Sequence, residues 1–336
     1  ADNNTAVGYH SMRANTTGHE NVAIGSNALD ANTTGFVNTA IGTGALTSNT
    51  TAGRNTAVGK EALRDNTTGE RNTAVGHDAL VNNTTADHNT AVGQGALQNN
   101  TTGTENTAVG ALALDAATTQ SSNTAVGYKA LSAQNANGNN VAVGNSAGLV
   151  QTSADRNTLI GSVAGMQITT GHNNVGLGSD SLRSSSPSGE VTTQDDIVCL
   201  GNNETSALFC ADTSISSSDS RDKTDIASFN IGLAWVEALR PVTYKWDRRT
   251  WYGTDEQPYG TPDGSKKRNK IHIGFLAQEA LEVEKANGYG DTSDNMLVCN
   301  LTGDGMAYGM KYERLVPILV NAIKELSTRV TALEAG

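Results

Sequence analysis

"NTAVG" occupies residues 55–59, and close copies stand at 38–42, 72–76, 89–93, 106–110 and 123–127. The Asn that opens the motif recurs at 4, 21, 38, 55, 72, 89, 106, 123, 140, 157 and 174, a spacing of seventeen residues throughout. A fixed short period marks a solenoid, in which each repeat is one structural turn that cannot bury its apolar face alone and must stack on its neighbours.

Within the period, the fourth position is always aliphatic (Val7, Ile24, Ile41, Val58 and onward to Leu177), and the fifth is always Gly. A β-branched residue in a short alternating run suits a strand with one buried face, and the Gly after it marks a corner where a side chain would clash or φ must be positive. Positions eight and nine read Ala-Leu in most repeats, as at Ala28-Leu29 and Ala62-Leu63, and Asn-Thr-Thr-Gly then closes the coil. Asn, Thr and Gly suit turns, and identical side chains one coil apart can join in hydrogen-bonded ladders. The first half is therefore expected to be a mainly β solenoid, a parallel β-roll or β-helix. Eleven coils at about 4.8 Å each make a shaft about 50 Å long. An Ala-rich helical array is the alternative, but an invariant Gly every seventeen residues and a Thr-Thr pair in most repeats oppose long helices.

Composition supports an assembly. Of 336 residues only 4% are aromatic and 37% apolar, thin material for a large core within one chain. The net charge of −11 opposes binding to a phosphate backbone, so nucleic acid is excluded as a partner. No apolar run reaches the eighteen or more residues of a bilayer-spanning helix, so no membrane insertion is expected. The chain opens on "ADNNTAVGYH" without an initiator Met and is expected to be a piece of a longer protein. Cys199, Cys210 and Cys299, and the dispersed His10, His19, His77, His88, His172 and His272, lack metal-ligand spacing. No metal and no cofactor are expected, and the thiols are expected to be buried and free.

The repeat signature fades after Asn174, dividing the chain into a rod at 1–183, a linker and short β platform at 184–217, and an α/β domain at 218–336. "SLRSSSPSGEVTTQDD" has connector composition, and "DIVCLGNNETSALFCADTSIS" suggests two short strands joined at Gly-Asn-Asn. Farther on, "VEALRPVTYKW" reads as a helix end and a strand, "IHIGFLAQEALEVEKANG" as a buried strand and a helix, and "DGSKKRNK" as a solvated hairpin tip. A coiled-coil helix is expected over about 307–334, because Tyr312, Val316, Leu319, Ile323, Leu326, Val330 and Leu333 alternate in steps of four and three. Pro317 should limit or kink its first turn.

Two resemblances follow. The repeats resemble the head repeats of trimeric surface adhesins and of phage tail fibres, where a strand-Gly pattern winds into a left-handed roll and three rolls pack together. The run Ser218-Asp219-Ser220-Arg221-Asp222-Lys223, followed by "LRPVTYKW", "GFLAQE" and "YERLVPILVNAIKEL", resembles the C-terminal intramolecular chaperone of phage tail spikes and endosialidases, the peptidase S74 family. That resemblance implies a homotrimeric tail-fibre or tail-spike protein of the virion, assembled in the host cytoplasm. Its C-terminal domain would help the β-rod fold in register and then cut itself off as a single-turnover serine endopeptidase. It also implies Ser218 as nucleophile and Lys223 as general base, with Asp219 and Arg221 as supporting motif residues.

Lysine accepts the serine proton only when neutral, so folding must desolvate it or bring a positive charge near, and Arg221 is the candidate. Two bonds remain open to cleavage. Ser217–Ser218 is reached in cis through a five-membered ring, and Ser218–Asp219 is reached if a neighbouring subunit supplies the nucleophile. The alternative function is a rod that is itself a receptor- or glycan-binding adhesin with the chaperone as accessory, although 1–190 is poor in aromatic platforms.

Overall fold

The computed structural model describes residues 1–135, 137–205, 223–254, 257, 259–302 and 305–335. The chain forms two compact units, Ala1–Glu204 and Thr205–Gly336.

The first unit is a solenoid of twelve three-residue strands, from β1 (Thr5–Val7) and β2 (Val22–Ile24) through β11 (Val175–Leu177) to β12 (Val198–Leu200), paired in parallel in sequence order. Thr56 lies beside Thr73, Ala57 beside Ala74 and Val58 beside Val75, so each coil repeats its neighbour in register. The centre of each strand faces inward: Ala23, Ala40, Ala57, Ala74 and Ala91 are fully buried, with the Ala-Leu pairs such as Ala79-Leu80 packed against them. The β-branched residue points the other way. Val75, Val92 and Val109 are each 36% exposed, so the buried face expected of the strand is the one carrying Ala. The interior accepts only a methyl from the strand because Leu from the facing turn fills the remaining depth.

Two coils show this space requirement through compensation. Gly148 and Gly165 replace the turn Leu, and Leu159 replaces the strand Ala; a Cβ on Gly148 would lie 3.0 Å from Leu159 Cδ1. One strand Leu fills the space beside both glycines, and Ile168, whose Cδ1 would lie 2.9 Å from a Cβ on Gly165, fills the rest, so the core stays packed with its large side chains redistributed. The corner Gly follows from equally close packing. Gly76 has φ of +137°, and a methyl there would sit 2.5 Å from the Gly93 carbonyl oxygen. Buried Leu29, Leu46, Leu63 and Leu80 also occupy the left-handed region, at φ of 51° to 52°. That conformation costs roughly 1–2 kcal/mol, offset by the roughly 1.5–3 kcal/mol gained when a Leu side chain is buried.

Two buried Asn ladders run along the stack. Asn55 N–H donates to Asn38 Oδ1 at 3.0 Å while its own Nδ2 donates to Gly69 O at 2.8 Å. Asn83 Nδ2 donates to Asn66 Oδ1 at 2.8 Å in the second ladder. That ladder ends where Ala117 takes the Asn position, and Asn100 Oδ1 has no hydrogen-bond partner among the described residues. The neighbouring corner is repaired locally, because Gln120 Oε1 accepts the Thr118 and Thr119 N–H groups and its Nε2 donates to Asn135 O.

The solenoid continues past residue 183, where the sequence suggested a linker and platform. The last step, from Asn174 to Ile197, is 23 residues long, and β12 pairs with β11 as one more coil. The Ile197 N–H still donates to Asn174 Oδ1, so the Asn ladder closes on a residue that supplies only its backbone. The second strand suggested for the platform lies outside the described residues.

The second unit contains α1 (Leu233–Ala238), the antiparallel pair β13 (Val242–Tyr244) and β14 (His272–Gly274), α2 (Ala277–Ala286), the antiparallel pair β15 (Cys299–Leu301) and β16 (Tyr308–Met310), and α3 (Leu315–Glu334). Its core gathers Trp235, Val298, Leu315 and Ile318. Two expectations are corrected. The last helix starts at Leu315 because Tyr308–Met310 is committed to β16, and Pro317 sits in its first turn, where no intrahelical N–H is required. The strand in "IHIGF" is exposed on one face, with Ile273 84% accessible.

Candidate functional site

Lys223 is the one residue of Ser218–Lys223 that falls among the described residues; Ser217, Ser218, Asp219 and Arg221 lie outside them. From Lys223 to Ser228 every residue is exposed and without regular secondary structure. The chain first docks at Phe229. There Asn321 Nδ2 donates to Phe229 O at 2.6 Å and to Ile231 O at 3.1 Å, and the Leu233 N–H donates to Glu325 Oε2 at 3.3 Å. Gly232 fits beneath Glu325, whose carboxylate would collide with any Cβ at that position.

α3 therefore has two working faces. Leu315, Ile318 and Ala322 are buried against the unit's own core, while Val316, Leu319, Ile323, Leu326, Val330 and Leu333 form an exposed aliphatic stripe. Tyr312 stands apart from the rest of that proposed seam. It lies in the 3-10 turn Tyr312–Arg314 ahead of the helix, its hydroxyl accepts the Phe275 N–H at 3.1 Å, and its ring stacks on Phe275. Its exposed edge still faces solvent, but its polar end is committed to the segment after β14.

Sequence reasoning missed Glu284, which holds α2 to β15. Fully buried, its carboxylate accepts the N–H groups of Leu297 at 2.9 Å, Val298 at 2.7 Å and Cys299 at 2.8 Å. The nearby Cys299 thiol is pushed up to about 12, first by burial and then by the adjacent Glu284 charge. Cys199 and Cys299 are both buried and free, whereas Cys210 lies outside the described residues. Replacing Glu284 with Gln removes the charge and turns one of the two acceptor oxygens into a donor facing backbone N–H. The expected loss is about 2–4 kcal/mol, because hydrogen bonds to charged groups contribute about 1.5–3 kcal/mol each. All three Trp residues belong to this unit, so thermal unfolding followed by Trp fluorescence reads it selectively. An unchanged midpoint would remove Glu284 from this structural role.

The basic loop is more than a solvated tip. Between β13 and β14, Arg248 covers Trp246 at 4.2 Å from the ring centre, Arg268 covers Trp251 at 4.8 Å, Arg249 covers Tyr259 at 4.8 Å and Lys266 covers Tyr252 at 5.3 Å. These cations shield rings that a hairpin excursion could not otherwise bury.

Residues 218–289 match the family model Peptidase_S74, described as chaperone of endosialidase. The match starts at Ser218 and takes in α1, β13, β14 and α2 but stops short of α3. A β-solenoid ahead of this chaperone segment fits the tail-fibre resemblance carried by the repeats and by "SDSRDK". No curated protein matches the chain.

Three side chains of the second unit were missed by sequence reasoning. Glu284 is one of several acidic residues in "EALEVEK", with nothing local to mark it as buried. Asn321 and Glu325 lie four residues apart on the face opposite the heptad stripe, but Lys324, Ser327, Thr328 and Arg329 make the helix polar around them, so the spacing alone did not single them out.

Proposed function

We propose that the protein is a homotrimeric viral tail-fibre or tail-spike component whose C-terminal unit gathers three chains, sets the register of the solenoid and then releases itself by cleavage beside Ser218. Assembly takes place in the host cytoplasm, and the solenoid becomes part of the virion.

The observation that carries this reading is the outward face of the long sheet. Each of its twelve strands presents its first and third residues outward, giving 24 positions occupied only by Thr, Val, Ile and Leu. At the chain-wide 17% of charged residues, about four of these 24 would be charged by chance, and none is. A long uncharged aliphatic ladder suits coverage by another copy, and so does the exposed stripe on α3. Three copies, as opposed to two, rests on the resemblance of the repeats and of the chaperone motifs.

The sheet face also explains the need for a chaperone. Because the outward ladder repeats every seventeen residues, a second chain displaced by one coil meets nearly the same surface and the array selects its alignment poorly. A C-terminal unit that associates first supplies the alignment and lowers the entropy cost of the first inter-chain contacts.

Cleavage then proceeds by addition of Ser218 Oγ to a neighbouring carbonyl as Lys223 takes the hydroxyl proton and returns it to the departing amine. Water hydrolyses the resulting ester. The test is whether the folded chain is cut beside Ser218 in a manner that requires both Ser218 and Lys223.

A further inference from the structure

We infer that Asn137 and Gly138 form a self-modifying site in the solenoid, where the backbone nitrogen of Gly138 converts the Asn137 amide to a carboxylate and so loosens the link between two neighbouring coils. The inference is independent of self-cleavage and concerns the first unit alone.

Residues 134–140 read "QNANGNN", where the first six coils close on Asn-Thr-Thr followed by Gly or Ala. In most coils the place of Asn137 holds a buried Gly or Ala, as at Gly69, Ala86 and Gly103. A methyl on Gly69 would already lie 2.4 Å from the Ala86 carbonyl oxygen, so an amide side chain has no room inside. Asn137 instead takes a φ of 59° and is exposed. Asn is among the few side chains that adopt this left-handed backbone readily. The residue after it is confined to Gly, because a Cβ on Gly138 would collide with the Ser121 carbonyl oxygen. The packing of one corner therefore joins an exposed amide to the residue that hinders attack on it least.

The site is also open to reaction. Among the described residues none accepts the Gly138 N–H, so the attacking nitrogen has no hydrogen bond to break. The chain contains a second Asn-Gly pair, Asn287-Gly288 at the C-terminal end of α2, and that one is closed. Asn287 Nδ2 donates to Val283 O at 2.8 Å, and the Gly288 N–H donates to Lys285 O at 3.1 Å. The two pairs share their chemistry and differ in their surroundings.

In the reaction a bond forms between Gly138 N and Asn137 Cγ, closing a five-membered succinimide. The Cγ–Nδ2 bond breaks, and the nitrogen leaves as ammonia with the proton from Gly138. Water then adds to one of the two ring carbonyls and gives aspartate or isoaspartate at position 137.

The product no longer fits. In its amide form Asn137 donates from Nδ2 to Ser153 O in the next coil, whereas a carboxylate has no proton to offer and faces that carbonyl oxygen. Isoaspartate also routes the main chain through Cβ, lengthening it by one carbon where Gly138 lies against Ser121. Nearby, Gln151 is fully buried with neither amide atom hydrogen-bonded among the described residues, so this part of the stack has little to offset the loss.

The experiment keeps the full parent chain in mildly alkaline buffer at physiological temperature and follows its tryptic peptides by fragmentation mass spectrometry. Asn137 is expected to acquire the acid form at least tenfold faster than Asn287 and than the buried Asn123 and Asn140. Asn137→Gly, which restores the residue usual in the earlier coils, should abolish conversion in that peptide. Conversion at Asn137 no faster than at Asn287 would overturn the site. Hydrogen exchange of Asn137→Asp reads the consequence. The amides of Asn139 and Arg156, which donate to Ser121 O and Gly138 O, are the reporters, and their exchange should be at least fivefold faster than in the parent. Unchanged exchange would overturn the loosened link. If Asn137→Asp fails to fold, aged parent protein, which folded before conversion, decides by the same reading.

Discussion

Introducing aspartate at both Ile323 and Leu326 is expected to leave the protein unassembled and its solenoid without ordered β structure. In a lone chain these side chains are 65% and 46% exposed, so their substitution should alter stability by no more than about 0.5 kcal/mol. A large effect arises only if another copy covers them. Each buried aliphatic side chain contributes about 1.5–3 kcal/mol, and carboxylates brought together on one axis add the cost of burying like charges. Light scattering gives the assembly state, far-UV circular dichroism the solenoid, and Trp fluorescence confirms that the second unit stays folded. Parental mass in the variant would show that the stripe is not the seam. Loss of assembly with a fully formed solenoid would break the proposed dependence of rod folding on C-terminal association.

Ser218→Ala should yield a single uncut polypeptide near 34.8 kDa under conditions where the parent separates into a solenoid fragment and a C-terminal fragment. Lys223→Ala should behave alike, because the serine proton then has no acceptor and the departing amine no donor. Since Lys223 is exposed in the single chain, the aspartate variant at Ile323 and Leu326 should also remain uncut while keeping both dyad residues. Intact-mass spectrometry measures all three and assigns the bond, Ser217–Ser218 or Ser218–Asp219, from the fragment masses. Cleavage that persists in Ser218→Ala would exclude Ser218 as the nucleophile, and efficient cleavage of the unassembled aspartate variant would show that the dyad does not wait for assembly.

The period carried the fold because one short strand and one Gly corner recur in every coil, with an Asn-Thr-Thr turn in the earlier ones. Orientation within the strand was less accessible. A β-branched residue has equal propensity on either face, and only the narrow interior, with room for Ala57 and Leu63 but not also for Val58, decides that the valines point outward. The twelfth coil was obscured because the insertion lengthens the preceding step and Ile197 stands where earlier coils have Asn. Its side chain was not needed there, since a backbone N–H alone completes the ladder.

The second unit was legible in a different way. The aliphatic stripe on α3 could be read from its steps of four and three, and the exposed placement of Val316, Leu319 and Ile323 agrees with that pattern. The start of the helix could not, because pairing of Tyr308–Met310 with β15 outweighs the helical preference of the preceding residues. The contacts of Asn321 with Phe229 and of Glu325 with Leu233 join segments 92 residues apart, beyond the reach of local pattern. In the same way, the three backbone donors on Glu284 come from the residues leading into β15, which sequence periodicity does not connect to α2.

Light scattering of the purified Ser218→Ala chain, which keeps both units joined, tests the central claim most directly. The account predicts a molar mass of three times 34.8 kDa, about 104 kDa, accompanied by ordered β structure. A mass of one chain with the same β structure would contradict it, because the solenoid would then have formed without any partner to set its alignment.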